Sequence, residues 1–136
     1  MRCPEDTEGR IVAPLGRHQV NRKKMAIAPS RGKYAASNWR ILECFVNGWC
    51  LAEIRIETGR THQIRVHMSS IRCPVVGDKL YGGGIGRAFP IQASRQMLHA
   101  VRLGFSHPST GKRMIFDAPL WPDMQQIVDT LQREKV

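Results

Sequence analysis

The sequence predicts an α+β domain in which antiparallel hairpins form a sheet and helices pack on one of its faces. Three observations carry that class. Residues 49–57 alternate, with Ala52, Ile54 and Ile56 on one side and Glu53, Arg55 and Glu57 on the other, as a strand with one wet face does. An Asn47-Gly48 dipeptide, suited to the positive φ angles of a tight type I′ turn, joins this run to residues 35–45, where Trp39, Ile41 and Phe45 fall at even spacing. Ile64, His67, Met68 and Ile71, and later Met124, Ile127, Val128 and Leu131, repeat at helical spacing.

Taken in order, residues 1–10 are polar, contain a Pro and a Gly, and read as an irregular lead-in. Residues 11–15 read as a short strand end closed by Pro14 and Gly16. A loop carrying Arg17, His18, Arg22, Lys23 and Lys24 precedes the apolar Met25-Ala26-Ile27. Five groups that can carry positive charge before a short strand suit a phosphate-facing loop, or equally a solvated basic one. Pro29-Ser30-Arg31-Gly32 is a turn leading into the first hairpin. Thr58-Gly59-Arg60 ends that hairpin, Thr61 is the expected cap of the following helix, and Cys73-Pro74 stops it. A short apolar run with a Gly77-Asp78 turn then reaches a glycine-rich loop, Gly82 to Gly86 with Arg87. No Gly-Lys-Ser/Thr closes that loop, so it is not a P-loop. Residues 95–105 and 113–116 predict a second hairpin, turned by Pro108-Ser109-Thr110-Gly111, with Leu98, Val101, Leu103 and Phe105 offered to the core. Pro122 suits the first turn of the last helix.

The 136 residues fit one domain, long enough to bury a core without staples. Lys plus Arg number 21 against 11 Asp plus Glu, a formal charge of +10, which favours a polyanionic partner, nucleic acid first. None of the four cysteines forms a Cys-x-x-Cys pair. Cys44 and Cys50 lie in apolar runs as small hydrophobes, and a reduced, cytoplasmic chain fits best. No apolar stretch approaches the roughly 18 residues of a membrane span.

The densest polar cluster is ETGRTHQIRVHM, residues 57–68, which sets Arg60, His62, Gln63, Arg65 and His67 at one strand-to-helix junction. His62 and His67 are five apart, about 140° around a helix, which disfavours a metal pair. No Ser-His-Asp or Cys-His grouping supports a nucleophilic hydrolase. Arginines flanking Thr-His-Gln suit recognition of carboxylate or phosphate, and a purely structural salt-bridge junction is the other reading. Arg65 lies about 100° past Ile64, so it flanks the packed helix face towards the sheet edge.

The strings TGRTHQIRVH, PVVGDKLYGG and MLHAVRLGFSHPSTGKRMIFDAPL, with GRHQVNRKKMAIA upstream, occur in order at compatible spacing. Together they resemble the carboxy-terminal half of an RluA-type RNA pseudouridine synthase, a family that includes ribosomal large-subunit enzymes. The resemblance implies half of that catalytic fold and isomerisation of uridine to pseudouridine in ribosomal or transfer RNA. It also implies no metal or organic cofactor, and a target nucleotide flipped into a pocket. The essential residue of the family is an Asp in a His-Arg-Leu-Asp-x-x-Thr-Ser-Gly segment. By resemblance Arg65 is the arginine that pairs with it, and Arg60, His62 and Gln63 lie near the flipped nucleotide. RNA contact is expected at Arg17, His18, Arg22, Lys23 and Lys24.

None of the five aspartates, Asp6, Asp78, Asp117, Asp123 and Asp129, has the His-Arg-Leu-Asp setting. Asp78 and Asp117 match positions read as structural, and Tyr34 and Tyr81 do not match the family's stacking tyrosine. The chain is therefore expected to be a carboxy-terminal part of the catalytic domain, inactive alone, whose exposed surfaces favour self-association. The alternative is a non-catalytic RNA-binding protein derived from the same fold.

Overall fold

A computed structural model of the chain describes residues 1–82 and 91–134; the predicted Gly83–Gly86 and Arg87 part of the glycine loop lies outside the described residues. Among the described residues, seven strands and two α-helices follow one another: β1 (Glu8–Val12), β2 (Leu15–Arg17), β3 (Met25–Ile27), β4 (Ala36–Cys44), β5 (Cys50–Ile56), α1 (Gln63–Ser70), β6 (Arg102–Ser106), β7 (Arg113–Asp117) and α2 (Pro122–Arg133). The α+β class holds. All the sheets are antiparallel: β1-β4-β5 forms the largest, while β2-β3 and β6-β7 are two-stranded.

The alternation that predicted the first hairpin also sets its register, with Trp39 opposite Ile54 and Ile41 opposite Ala52. Its turn departs from the Asn-Gly expectation. The Phe45 N–H donates to the Trp49 carbonyl (2.8 Å), leaving a three-residue loop, Val46–Gly48, that closes with Gly48 at φ 74°. Three-residue hairpin loops put a glycine in the left-handed region at that last position, so the glycine signal was right and the loop one residue longer.

Residues 1–10 are more ordered than a lead-in. Arg2 bridges Trp49 on the free side of β5, and Glu8–Val12 pair with Ala36–Arg40 on the free side of β4. Both outer edges offer unpaired backbone groups, and the polar segment satisfies them. Gly9 is needed there: a Cβ would stand 2.7 Å from the Trp39 ring that covers the strand. The single strand end expected at 11–15 is two strands instead, separated at Ala13-Pro14, where proline has no N–H for a ladder.

Among the described residues the core has three clusters. Phe45, Trp49 and Val76 meet Ile127, Val128 and Leu131 of α2. Leu15 and Ala35 meet Val66, and Trp39 meets Met68 and Cys73. The predicted α2 stripe thus packs as expected. The second hairpin does not: Val101, Leu103, Phe105, Ile115 and Phe116 are all exposed, because no described element lies over the hairpin to bury them. No helix among the described residues is long and apolar enough to cross a membrane.

Candidate active site

Helix α1 has eight residues, two turns, too short to persist on its own. Hydrogen bonds from its own side chains hold it. Gln63 is buried at 3% exposure; its Nε2 donates to the Ala36 carbonyl and to Ser37 Oγ (both 2.9 Å). Its Oε1 accepts from Thr58 Oγ1 (2.7 Å) and from the Arg60 N–H (3.0 Å). His67 is fully buried. Its Nε2 lies 2.9 Å from the Ala13 carbonyl and its Nδ1 2.9 Å from Ser37 Oγ. A carbonyl can only accept, so Nε2 carries the proton and Nδ1 accepts from the Ser37 hydroxyl. Gln63 and His67 are thereby committed to the interior, and Gln63, expected near the nucleotide, has no group left for RNA.

The helix starts differently from the Thr61 cap. His62 occupies the capping position in the left-handed region, φ 55°, without a side-chain cap. Such a backbone costs a non-glycine residue about 1 kcal/mol or more. Its ring is held by Tyr81, whose hydroxyl lies 2.8 Å from His62 Nδ1 and accepts the Met25 N–H (2.8 Å). The hydroxyl proton goes to Nδ1, leaving Nε2 of the ring as a donor. Burial, and then the Arg65 cation, push the His62 ring below its ordinary pKa, so it is neutral at pH 7.

Arg65 already has a carboxylate. Its Nε and Nη2 grip Asp78 Oδ2 (2.7 Å) and Oδ1 (2.9 Å), and its guanidinium lies 4.9 Å from the Tyr81 ring centre. Burial alone would raise the Asp78 carboxyl. The Arg65 guanidinium and the N–H groups of Tyr81 and Leu80 (3.0 Å each) outweigh it and hold the carboxyl below the usual range. Among the described residues, Arg65 Nη1 meets no acceptor. Arg65 thus meets a carboxylate within the chain that the residues alone did not reveal: Asp78, its side chain fully buried, occupies two of its three nitrogens. Gly77, at φ 75°, makes the turn that delivers Asp78; a Cβ there would collide with the Arg95 carbonyl.

The basic loop divides. Lys24 is half-buried, with Nζ 5.8 Å from the Tyr81 ring centre, so Lys24, His62 and Arg65 converge on one tyrosine. Arg17, Arg22 and Lys23 are exposed. His18 shapes the loop, its Nδ1 accepting from the Val20 and Asn21 N–H groups (3.2 and 3.1 Å). Arg60 is exposed and turns back to the Tyr34 carbonyl (3.0 Å). Sequence reasoning missed Tyr81 and Ser37. The sequence offered only a partial signal: an Asp in a Gly-Asp turn is suited to accept from N–H groups two and three residues on, as Asp78 does here, which marks the turn before Tyr81 but not its contacts.

The junction thus gathers Lys24, the Arg65 guanidinium and a neutral imidazole donor around Tyr81, groups whose chemistry suits an anion. Residues 1–70 match the family described as RNA pseudouridylate synthase. The chain belongs to that family. Among pseudouridine synthases, it is 43% identical over 135 residues to the ribosomal large subunit pseudouridine synthase D of Vibrio vulnificus (strain CMCP6), covering 93% of this chain and 41% of that protein. It is 37% identical over 154 residues to the chloroplastic RNA pseudouridine synthase 2 of Arabidopsis thaliana, covering 96% of this chain and 36% of that one. The solved structure of human RNA pseudouridylate synthase domain containing 1 superposes with a TM-score of 0.67 at 28% identity, over 94% of this chain and 60% of that one. The chain thus spans about two fifths of the length of these curated pseudouridine synthases.

Proposed function

We propose that these residues form the arginine side of an RNA pseudouridine synthase pocket, acting on uridine in ribosomal or transfer RNA in a reducing, cytoplasmic setting. The observation that carries this reading is Arg65. Asp78 fixes the guanidinium from one side by two hydrogen bonds, leaving Nη1 to receive a further carboxylate. A carboxylate from a His-Arg-Leu-Asp segment would stay ionised there and be held in one direction. Lys24 and the exposed Arg17, Arg22 and Lys23 supply the charge that holds an RNA backbone, and His62 Nε2 supplies a neutral donor to a base edge or phosphate. The 136 residues contain no His-Arg-Leu-Asp carboxylate, so alone they bind RNA and do not isomerise uridine.

The test compares the 136-residue chain with a chimera in which a His-Arg-Leu-Asp-bearing segment of a pseudouridine synthase precedes Met1. Each is incubated with transcribed ribosomal and transfer RNA, and the digested nucleosides are separated by chromatography. Pseudouridine is expected from the chimera only, and is lost in its Arg65→Met variant. Product from the short chain would overturn the assignment of the missing carboxylate. Neutralising Lys23 and Lys24 should lower the slope of log affinity against log salt by about 1.4–1.8, the loss of two phosphate contacts. An unchanged slope would remove the basic loop from the interface.

The bidentate Arg65–Asp78 pair also favours a second reading. With Arg65 neutralised inside the chain, the folded unit is electrostatically complete as a non-catalytic RNA binder. A chimera that folds and binds RNA but makes no pseudouridine would select it.

A further inference from the structure

We propose that Cys3 and Cys44 form a redox-modification site, at which a hydroperoxide converts the two thiols into a disulfide that fastens the amino-terminal segment to the β4–β5 hairpin. Their sulfurs lie 3.6 Å apart although the residues are 41 apart in sequence. Backbone pairing, rather than loose side chains, sets that approach. The Cys3 N–H donates to the Gly48 carbonyl (2.8 Å), Arg2 bridges Trp49, and the Cys50 N–H donates to the Met1 carbonyl (2.8 Å). Residues 1–3 therefore run along the free side of β5, and Cys3 reaches round the hairpin end to the last residue of β4. A disulfide needs the sulfurs about 1.5 Å closer.

Packing does not account for this pair. Cys44, expected from its neighbours to be a small core residue, is exposed, while Cys50 and Cys73 are buried. Cys50 is the cross-strand partner of Cys44; its sulfur sits 3.5 Å from the Arg2 carbonyl and also faces Cys3, but it is buried where Cys44 is open to solvent. Burial pushes the Cys50 thiol up to about 12 and raises Cys3 as well, so both keep their protons at neutral pH. Cys44 is the open sulfur, and it meets the oxidant first. Its thiolate attacks one peroxide oxygen, the O–O bond breaks and hydroxide leaves, giving the sulfenic acid. The Cys3 sulfur then attacks Cys44, the S–S bond forms and the S–O bond breaks, and the oxygen leaves as water with the Cys3 proton. Two thiols are oxidised while one peroxide is reduced to two waters, counting the hydroxide once protonated.

The 136-residue chain, treated with hydrogen peroxide and then alkylated, tests this by non-reducing peptide mass spectrometry. Chymotrypsin can cut at Phe45 and Trp49, which separates Cys44 from Cys50. The expected product is a Cys3–Cys44 peptide lighter by two hydrogens, reversed by dithiothreitol, kept in Cys50→Ser and lost in Cys3→Ser and Cys44→Ser. The melting temperature should rise by about 10 °C on oxidation and only where Cys3 and Cys44 are both present. A Cys3–Cys50 or Cys44–Cys50 disulfide, or oxidised Cys44 with Cys3 still open to alkylation, would overturn the proposal.

Discussion

The junction around α1 and the β6–β7 hairpin each carry an Arg–Asp pair and aromatic residues, and they use them in opposite ways. At the junction the Arg65–Asp78 pair is nearly sealed, with side chains 14% and 0% exposed. On the hairpin Arg102 and Asp117 are joined at 2.6 Å but are 68% and 62% exposed. Tyr81 is pinned by its hydroxyl and flanked by cations. Phe105 and Phe116 stack on each other at 5.9 Å in the open. Short contact distances are therefore no guide to energy here. What differs is whether a second layer removes water from the groups.

The largest test breaks the sealed pair. Asp78→Asn leaves the Arg65 charge half-buried without its counterion and should cost about 3–5 kcal/mol of unfolding free energy, read from urea melts. Loss well under that range would mean water reaches Arg65 freely. Next, Ser37→Ala removes the hydroxyl between Gln63 and His67 and leaves buried donors and acceptors unpaired, at about 1–3 kcal/mol.

A smaller effect separates the junction's two titrating groups by pH. The folded His62 ring resists the proton that the unfolded ring takes near pH 6.5, so stability falls as pH drops through that region. Asp78 is held below its ordinary value, so its contribution is full above about pH 4 and is lost only in stronger acid, as pH falls through the folded value. His62→Gln should erase the first loss and keep the second; a wild-type profile flat from pH 7 to 5 would remove His62 from the account. The smallest effect belongs to the hairpin. Arg102→Ala should leave the melting curve unchanged, whereas Phe105→Ser should reduce self-association in light scattering, since that apolar face and both edges of β6–β7 lack described partners.

The same contrast explains what could be read from the residues alone. The β4–β5 alternation and the α2 stripe concern elements whose partners are in the chain, and both were legible. Leu103 and Phe105 alternate just as well, but alternation says which residues share a face and not whether anything lies over it. At the junction, the residue types were visible and their division of labour was not. Gln63 and Arg60 stand three apart, yet one is interior and the other in solvent, because the left-handed turn at His62 rotates the helix start away from the expected cap. Tyr81 joins the site from 19 residues beyond His62, a contact that local spacing does not encode.

The interior ladder beneath α1 has a polarity of its own. Protons run one way, from Gln63 Nε2 to the Ser37 oxygen and from the Ser37 hydroxyl to His67 Nδ1, and His67 Nε2 passes its own to the Ala13 carbonyl. Because a carbonyl anchors the end and an amide the beginning, no link can be reversed by itself. The imidazole is thus frozen as a single tautomer, a state with a distinct nitrogen chemical-shift signature. The fold reports its own integrity through that ring: a sheet slipping against its helix would be heard first as His67 exchanging between tautomers.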